Sequence, residues 1–151
     1  AEQLIAVRDA CRWPPAGLRG VGFSRANLFG NNFNDYSAEA QSPLLVAMIE
    51  HHRAISELDS ILAVDGLDAV LIGPYDLSAS MGLTAEFDHP DFLAIMERIR
   101  KVAAEKGIPV GVHVVDPSPK QLNQRLDDGY QFLAYSIDAV MLNNVARYAS
   151  N

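Results

Sequence analysis

Four short apolar runs, separated by longer amphipathic or polar segments, dominate the pattern of hydrophobic positions along this chain. They span residues 44–49, 69–72, 109–115 and 131–135. The run at 69–72 is closed by Gly73 and Pro74, and Asp76 follows at once. Apolar runs of this length that end in Gly or Pro are typical of buried strands. The pattern therefore predicts four strands, with Asp76 just beyond the second.

The segments between these runs carry the spacing of amphipathic helices. It predicts helices over residues 2–13, 53–62, 91–106, 119–128 and 138–149, with a single helical turn at 24–29. Pro90 suits the first turn of the third helix, and Gly107 and Gly129 suit the left-handed residues that end the third and fourth. The polar, Asn-rich residues 30–42 predict a loop.

The predicted order is one helix followed by four strand–helix units. Apolar strands that alternate with helices are typical of a parallel sheet built from right-handed crossover units. This order fits a doubly wound sheet and part of a (β/α) barrel equally well. No repeat or linker divides the chain, so residues 1–151 are predicted to form a single domain.

Composition removes several classes of partner. Nucleic-acid binding needs a basic surface, and a chain with a formal net charge of −7 is not expected to have one. No apolar run reaches the ~18 residues that span a bilayer, and the first residues lack the core of a signal peptide. The single cysteine, Cys11, excludes an intrachain disulfide and fits a reducing compartment. We therefore expect a cytoplasmic protein with neither nucleic-acid nor membrane partners.

Two acidic residues follow successive predicted strands. Glu50 ends the run at 44–49, and Asp76 follows the run at 69–72 after the Gly73-Pro74 turn. In a parallel sheet both lie at the same edge, where two carboxylates suit a hard cation such as Mg²⁺ or Mn²⁺. Alternatively, each acid stabilises the start of the next helix by complementing its dipole. The spacing alone does not decide between these interpretations.

Three segments carry a resemblance to a known family. They are PPAGLRGVG at residues 14–22, MIE at 48–50 and VDGLDAVLIGPYDLSASMG at 64–82. In wording and spacing they resemble the HpcH/HpaI-type class II aldolases, metal-dependent enzymes of the phosphoenolpyruvate/pyruvate superfamily. HPDF and GYQFLAYSIDAVML, further along the chain, look like later barrel segments of that family. The resemblance implies the later part of a (β/α)8 TIM barrel, from about the fourth helix through the eighth.

The resemblance also implies residue roles. Glu50 and Asp76 match the two protein ligands of a divalent metal (Mg²⁺ or Mn²⁺, with Co²⁺ a further option), and Gly73, Pro74, Tyr75 and Asp76 match the loop that cradles the oxo acid. The implied reaction cleaves a 4-hydroxy-2-oxo acid into pyruvate, or a related 2-oxo acid, and an aldehyde. The implied assembly is a homo-oligomer, a hexamer in the family.

Leu142 lies just past the last predicted strand, where such folds place an apolar wall beside the aldehyde. A packed core position is the alternative for this residue. Tyr75 stands where the family usually has Ala or Ser, so its ring is expected to narrow the pocket.

The match also has gaps. The family's catalytic His and its oxo-acid-binding Arg lie in the early half of the barrel, and no residue here matches them. We therefore expect an incomplete barrel that lacks these two groups. Two alternatives stay open: a citryl- or malyl-CoA lyase-like enzyme, and a non-catalytic fragment that folds with a partner half-barrel.

Overall fold

A computed structural model describes residues 1–148 of the chain, which contain eight α-helices and four strands. The helices are α1 (Glu2–Cys11), α2 (Phe33–Glu39), α3 (Arg53–Ser56), α4 (Leu58–Leu62), α5 (Pro74–Ser80), α6 (Pro90–Glu105), α7 (Pro119–Asp127) and α8 (Asp138–Tyr148). The strands are β1 (Val46–Ile49), β2 (Ala69–Ile72), β3 (Val110–Val114) and β4 (Phe132–Tyr135). A 3-10 helix spans Arg25–Gly30. No helix among the described residues is both long and apolar enough to cross a membrane.

The four strands form one parallel sheet in the order β1-β2-β3-β4. Ile49 pairs with Ile72, which in turn pairs with Val112. A doubly wound sheet reverses its strand order at a switch point, whereas a barrel adds each strand beside the preceding one. The sequential order therefore resolves the choice left open by the sequence in favour of the barrel type.

The main core lies on one face of this sheet. Side chains of a strand alternate between faces, and the hydrophobic core cluster takes every second residue. From β1, β2 and β3 it comprises Ala47, Ile49, Val70, Ile72, Val110, Val112 and Val114. Helix α6 covers this face with Phe92, Met96, Ile99 and Ala103. Its ends also agree with the prediction: Pro90 opens the helix, and Gly107 follows it at φ +69°.

Two predicted elements differ from the structure in the first half of the chain. The loop predicted over residues 30–42 is wrong, because α2 forms there. Its Phe33 and Tyr36 pack on the buried Trp13, with ring centroids 5.4 and 5.3 Å apart. The single helix predicted over 53–62 is broken into α3 and α4 at Glu57, whose φ and ψ are −103° and 9°.

The terminal helices match in position but not in every detail. Helix α1 ends two residues earlier than predicted, and none of its residues is buried. Its apolar side chains Ile5 and Val7 are 39% and 46% exposed among the described residues. The predicted end of the last helix, residue 149, lies outside the described part of the chain.

Candidate active site

The ends of β1 and β2 bring the two predicted acidic positions to one edge of the sheet. Ile49 and Ile72, the last residues of these strands, are paired, and the Gly73 N–H donates a hydrogen bond to the Ile49 carbonyl at 3.2 Å. Glu50 and Gly73 are therefore neighbours at the carboxyl edge. In parallel α/β folds this edge is where ligands bind.

The lack of a side chain at Gly73 lets the Glu50 side chain lie against this turn. A Cβ at Gly73 would stand 3.2 Å from the Glu50 Cβ and 3.5 Å from its Oε2. The φ of Gly73 is −94°, which any residue can adopt. The glycine is therefore required here by the close approach of Glu50 and not by backbone conformation.

Asp76 lies in the first turn of α5, three residues beyond Gly73. Helix α5 was not predicted; Pro74 begins it directly after the strand, with its fixed φ at the first helical position. An acid in this turn complements the helix dipole, as the alternative interpretation requires. However, the cap residue is Gly73 and no side chain caps the helix. Asp76 can therefore stabilise the start of α5 through the dipole, but it does not cap the helix.

Both carboxylates are exposed and uncommitted. Neither Glu50 nor Asp76 forms an ion pair or a side-chain hydrogen bond with any of residues 1–148. Glu50 does not cap α3 either, whose cap position is His52 and has no side-chain hydrogen bond. Two exposed carboxylates at one sheet edge are the oxygen donors that a hard divalent cation prefers.

This donor set is small. Among the described residues, no three His, Cys, Asp or Glu side chains gather in a way that could hold a metal ion. Mg²⁺ is commonly held by one or two carboxylates together with water and substrate oxygens. The pair therefore fits a cation that also binds its substrate, and it does not fit a closed structural site.

The backbone of the turn offers two free donors. The Gly73 N–H is used by the Ile49 carbonyl, Pro74 has none, and the Leu77 N–H donates to the Gly73 carbonyl at 2.9 Å. The N–H groups of Tyr75 and Asp76 have no acceptor among residues 1–148. The predicted cradle at Gly73, Pro74, Tyr75 and Asp76 therefore contains two N–H groups that could receive a carboxylate.

The Tyr75 ring packs away from this pair of donors. It meets Phe87 edge-on, with centroids 4.9 Å apart, and lines a cavity beside α6. Its side chain is 45% exposed. This packing differs from the expected narrowing of the oxo-acid pocket, because an aromatic partner on the helix side of the sheet holds the ring.

Two serines that the sequence reasoning missed fix the position of α5. Ser80 Oγ accepts the His52 N–H at 2.9 Å, so it joins the loop after Glu50 to the helix that carries Asp76. Ser78 is fully buried; its Oγ donates to the Tyr75 carbonyl and accepts the Ala85 N–H. The only sequence signal for this role is two serines two positions apart in a short polar segment.

Leu142 lies in α8 and is 72% exposed among the described residues. It is therefore not part of the core that residues 1–148 form. The role of Leu142 as a wall beside the aldehyde stays a prediction.

The sequential parallel sheet defines the class as a portion of a (β/α) barrel, a fold in which ligands bind at the carboxyl ends of the strands. The family model described as HpcH/HpaI aldolase/citrate lyase matches residues 1–144. The chain therefore belongs to the HpcH/HpaI aldolase/citrate lyase family.

Curated relatives include several aldolases. The chain is 41% identical over 151 residues to a hydroxypyruvate/pyruvate aldolase of Roseobacter denitrificans, covering 97% of this chain and 57% of the relative. It is 41% identical over 145 residues to a 2-keto-3-deoxy-L-rhamnonate aldolase of Klebsiella pneumoniae, and the match covers 93% of this chain and 53% of that relative. The chain thus spans little more than half the length of these relatives.

Solved structures agree on the fold. An HpcH/HpaI aldolase/citrate lyase family protein from Burkholderia cenocepacia superposes with a TM-score of 0.87 at 30% identity, covering 98% of this chain and 59% of that one. An HpcH/HpaI aldolase from Desulfitobacterium hafniense gives a TM-score of 0.80 at 27% identity, and the match covers 97% of this chain and 58% of that one. The prediction of a barrel-type α/β fold is confirmed.

Proposed function

We propose that this chain forms the metal- and oxo-acid-binding part of an aldolase. The reaction is reversible cleavage of a 4-hydroxy-2-oxo acid into pyruvate, or a related 2-oxo acid, and an aldehyde. The observation that carries the proposal is the pair of uncommitted carboxylates, Glu50 and Asp76, at the ends of adjacent strands. Family membership and relatives with aldolase names support the same chemistry.

In this proposal Glu50 and Asp76 hold a divalent cation, with Mg²⁺ or Mn²⁺ favoured by the all-oxygen donor set and Co²⁺ a further option. The cation would supply Lewis acidity that stabilises negative charge on the keto oxygen of the substrate. The carboxylate of the oxo acid would accept hydrogen bonds from the free N–H groups of Tyr75 and Asp76. Because Gly73 has no side chain, the turn leaves space for both the Glu50 side chain and the substrate.

Proton transfer is assigned to groups outside these 151 residues. The family resemblance implies a His for the proton and an Arg for the oxo acid, and no position here matches either. We place both in the remaining part of the barrel, whether in the same polypeptide or in another copy of a homo-oligomer. This assignment makes the chain necessary but insufficient for turnover.

The test uses the whole protein and the methyl protons of pyruvate. A metal-bound oxo acid that forms an enolate exchanges these protons with deuterium from solvent, which ¹H NMR follows directly. We expect exchange that depends on added Mg²⁺ or Mn²⁺ and falls by about 10³-fold or more in Glu50→Gln or Asp76→Asn, the scale of losing several kcal/mol of charge stabilisation.

Matched controls are available on the loop between α5 and α6. Glu86 and Asp88 are exposed carboxylates whose side chains are uncommitted among the described residues. Glu86→Gln and Asp88→Asn make the same chemical changes at residues that belong neither to the proposed metal ligands nor to the cradle, so we expect them to leave exchange at the wild-type rate. Undiminished exchange in Asp76→Asn, or none in the metal-loaded wild type, would remove the basis of the proposal.

A further inference from the structure

The cavity that Tyr75 lines lies on the opposite side of β3 from the barrel interior, between α6 and α7. Its volume is about 360 Å³, at the small end of the range for ligand pockets. The floor is formed by Val112 and Val114, and one wall by Phe92 and Met96 of α6. All four side chains are at most 6% exposed, so the cavity has an apolar interior. We call it the α6–α7 cavity.

Helix α7 leaves this space open because its side chains do not fill it. None of its residues is buried, and it presents Gln121 and Arg125 to the cavity. Over the end nearer the strand tips, Tyr75 and Phe87 pack edge-on at 4.9 Å. The cavity therefore has an apolar floor, an aromatic cover and one polar wall.

A cation without a carboxylate partner lies at the other end. Arg100 lines the cavity, its Nη1 donates to the Asp128 carbonyl at 2.5 Å, and its guanidinium lies 5.5 Å from the centre of the Tyr130 ring. The Arg100 Nε is buried and has no hydrogen-bond partner. The Nε has almost no accessible surface, so an acceptor in the cavity can reach the guanidinium only through its Nη atoms, where a charge-assisted hydrogen bond is stronger than a neutral one.

The acidic residues around the cavity do not serve Arg100. The carboxylate of Asp128 accepts from Arg125 at 3.0 Å and from Gln124 at 2.9 Å. The carboxylate of Asp116 accepts from Gln121 at 3.4 Å. No carboxylate among residues 1–148 lies within ion-pair distance of Arg100. Glu97, one turn before Arg100 on α6, also lines the cavity and has no side-chain partner among residues 1–148, so the free charges of the lining are of both signs and Arg100 supplies the positive one.

We propose that the α6–α7 cavity binds a small amphipathic carboxylate. Its carboxylate contacts the Arg100 guanidinium, and its apolar body lies along Phe92, Met96 and the two valines of β3. The Arg100 guanidinium receives the anionic group, and the apolar floor and wall favour a ring or short chain over a fully polar acid. The cavity shares Pro74 and Tyr75 with the proposed oxo-acid cradle but lies on the helix-covered side of the sheet, away from Glu50, and the proposal does not depend on the metal site.

Two methionines report on the two sites independently. Met96 lines the cavity, whereas Met48 lies beside the proposed metal site, with its Sδ 3.8 Å from the Cβ position of Gly73. The whole protein is labelled at the methionine methyl groups and titrated with 3-phenylpropanoate in the presence of a chelator. We expect the Met96 signal to shift and the Met48 signal to stay. Pyruvate with Mg²⁺ should move Met48 instead, so the two proposals fail separately.

The neutral analogue 3-phenylpropanamide tests the charge without any mutation. It should bind about tenfold or more weakly, the scale expected for losing a charged hydrogen bond. Equal affinity of acid and amide would overturn the proposal. So would a shift confined to Met48, or no Met96 shift up to about 10 mM, since a ligand of this size reaches millimolar affinity in a suitable pocket.

A pair of α6 variants tests the assigned contact. Arg100→Gln should weaken 3-phenylpropanoate about tenfold and leave the amide affinity unchanged. Arg98→Gln removes an exposed arginine two positions away that does not line the cavity, so its affinity for the acid should equal that of the wild type. Equal weakening in both variants would show that the protein's overall charge, and not contact with Arg100, determines the affinity, which would contradict the proposal. If Arg100→Gln does not fold, the comparison of acid and amide decides.

Discussion

The two faces of the sheet differ in burial: one packs against helices, and the other is exposed among the described residues. On the helix-covered face, Ile49, Val70, Ile72 and Val112 are at most 2% exposed. On the other face, β1 presents Val46 and Met48, which are 39% and 55% exposed among the described residues. Glu50 continues the exposed series just past the end of β1. One face is thus fixed by burial, and the other bears the acid.

The alternation of strand side chains links these two roles. A shift of one residue in register would move Ile49 to the open face and Glu50 to the core. Because burying an unpaired carboxylate costs far more than exposing an isoleucine, the packed face determines where the acid lies. Alternate positions along β1 therefore contribute the packed core and lead to the proposed metal ligand Glu50.

The largest expected effect tests the packed face. Ile72 is fully buried in β2, one residue before Gly73. Ile72→Ala removes three carbon atoms from the core and should lower the free energy of unfolding by about 3–5 kcal/mol, measured by urea denaturation of the whole protein. Ile72→Val is the matched control and should cost about 0.5–1.5 kcal/mol. Equal small losses in both would show that this face is not closely packed.

The next effect tests the junction of the two faces. Gly73→Ala places a Cβ 3.2 Å from the Glu50 Cβ, so the acid must move although the backbone conformation is allowed. We expect metal-dependent pyruvate exchange to fall about tenfold to a hundredfold, the effect of displacing a positioned group by a fraction of an ångström to one ångström.

Stability and a second glycine provide the controls for that change. Gly73→Ala should cost no more than about 1–2 kcal/mol of unfolding free energy, since the Glu50 Cβ has to shift by only a few tenths of an ångström. A Cβ at Gly20 meets no atom within 4 Å, so Gly20→Ala should retain exchange. Full activity in Gly73→Ala would mean that the position of Glu50 against the turn is unimportant.

Elements whose signals are local could be predicted from the sequence. Strand β2 agrees with the prediction at both ends, because an apolar run meets Gly73 and Pro74 directly. Helix α6 agrees to within one residue, because Pro90 and Gly107 mark its limits. The common edge of Glu50 and Asp76 followed from these strand ends, since parallel strands bring their carboxyl ends together.

Elements that depend on distant contacts could not be predicted. Helix α2 has a polar, Asn-rich sequence and is stabilised by packing of Phe33 and Tyr36 on Trp13, some twenty residues away in the chain. Arg19 strengthens this cluster by donating to the Tyr36 hydroxyl at 2.6 Å. The orientation of Asp76 likewise depends on Ser80, whose partner His52 lies 28 positions away. No local pattern carries such information.

The smallest expected effect tests how dry the helix-covered side is. Tyr130 is 4% exposed and belongs to the core cluster on that side. Burial raises the pKa of its hydroxyl above the usual value near 10, against the opposing effect of Arg100 and Arg125. Above about pH 10 the unfolded chain has lost this proton and the folded chain still holds it, so unfolding releases a proton and stability falls as pH rises.

Tyr130→Phe isolates this effect because it removes the titrating group and keeps the ring. The unfolding free energies of the wild type and the variant are compared by urea denaturation from about pH 8 to 11. We expect a constant difference below about pH 9 and a relative loss for the wild type above it, with a slope of at most about 1.4 kcal/mol per pH unit, the limit for one proton. A difference that stays constant throughout would show that Tyr130 titrates alike in both states, and that water reaches the side of the sheet that the helices cover.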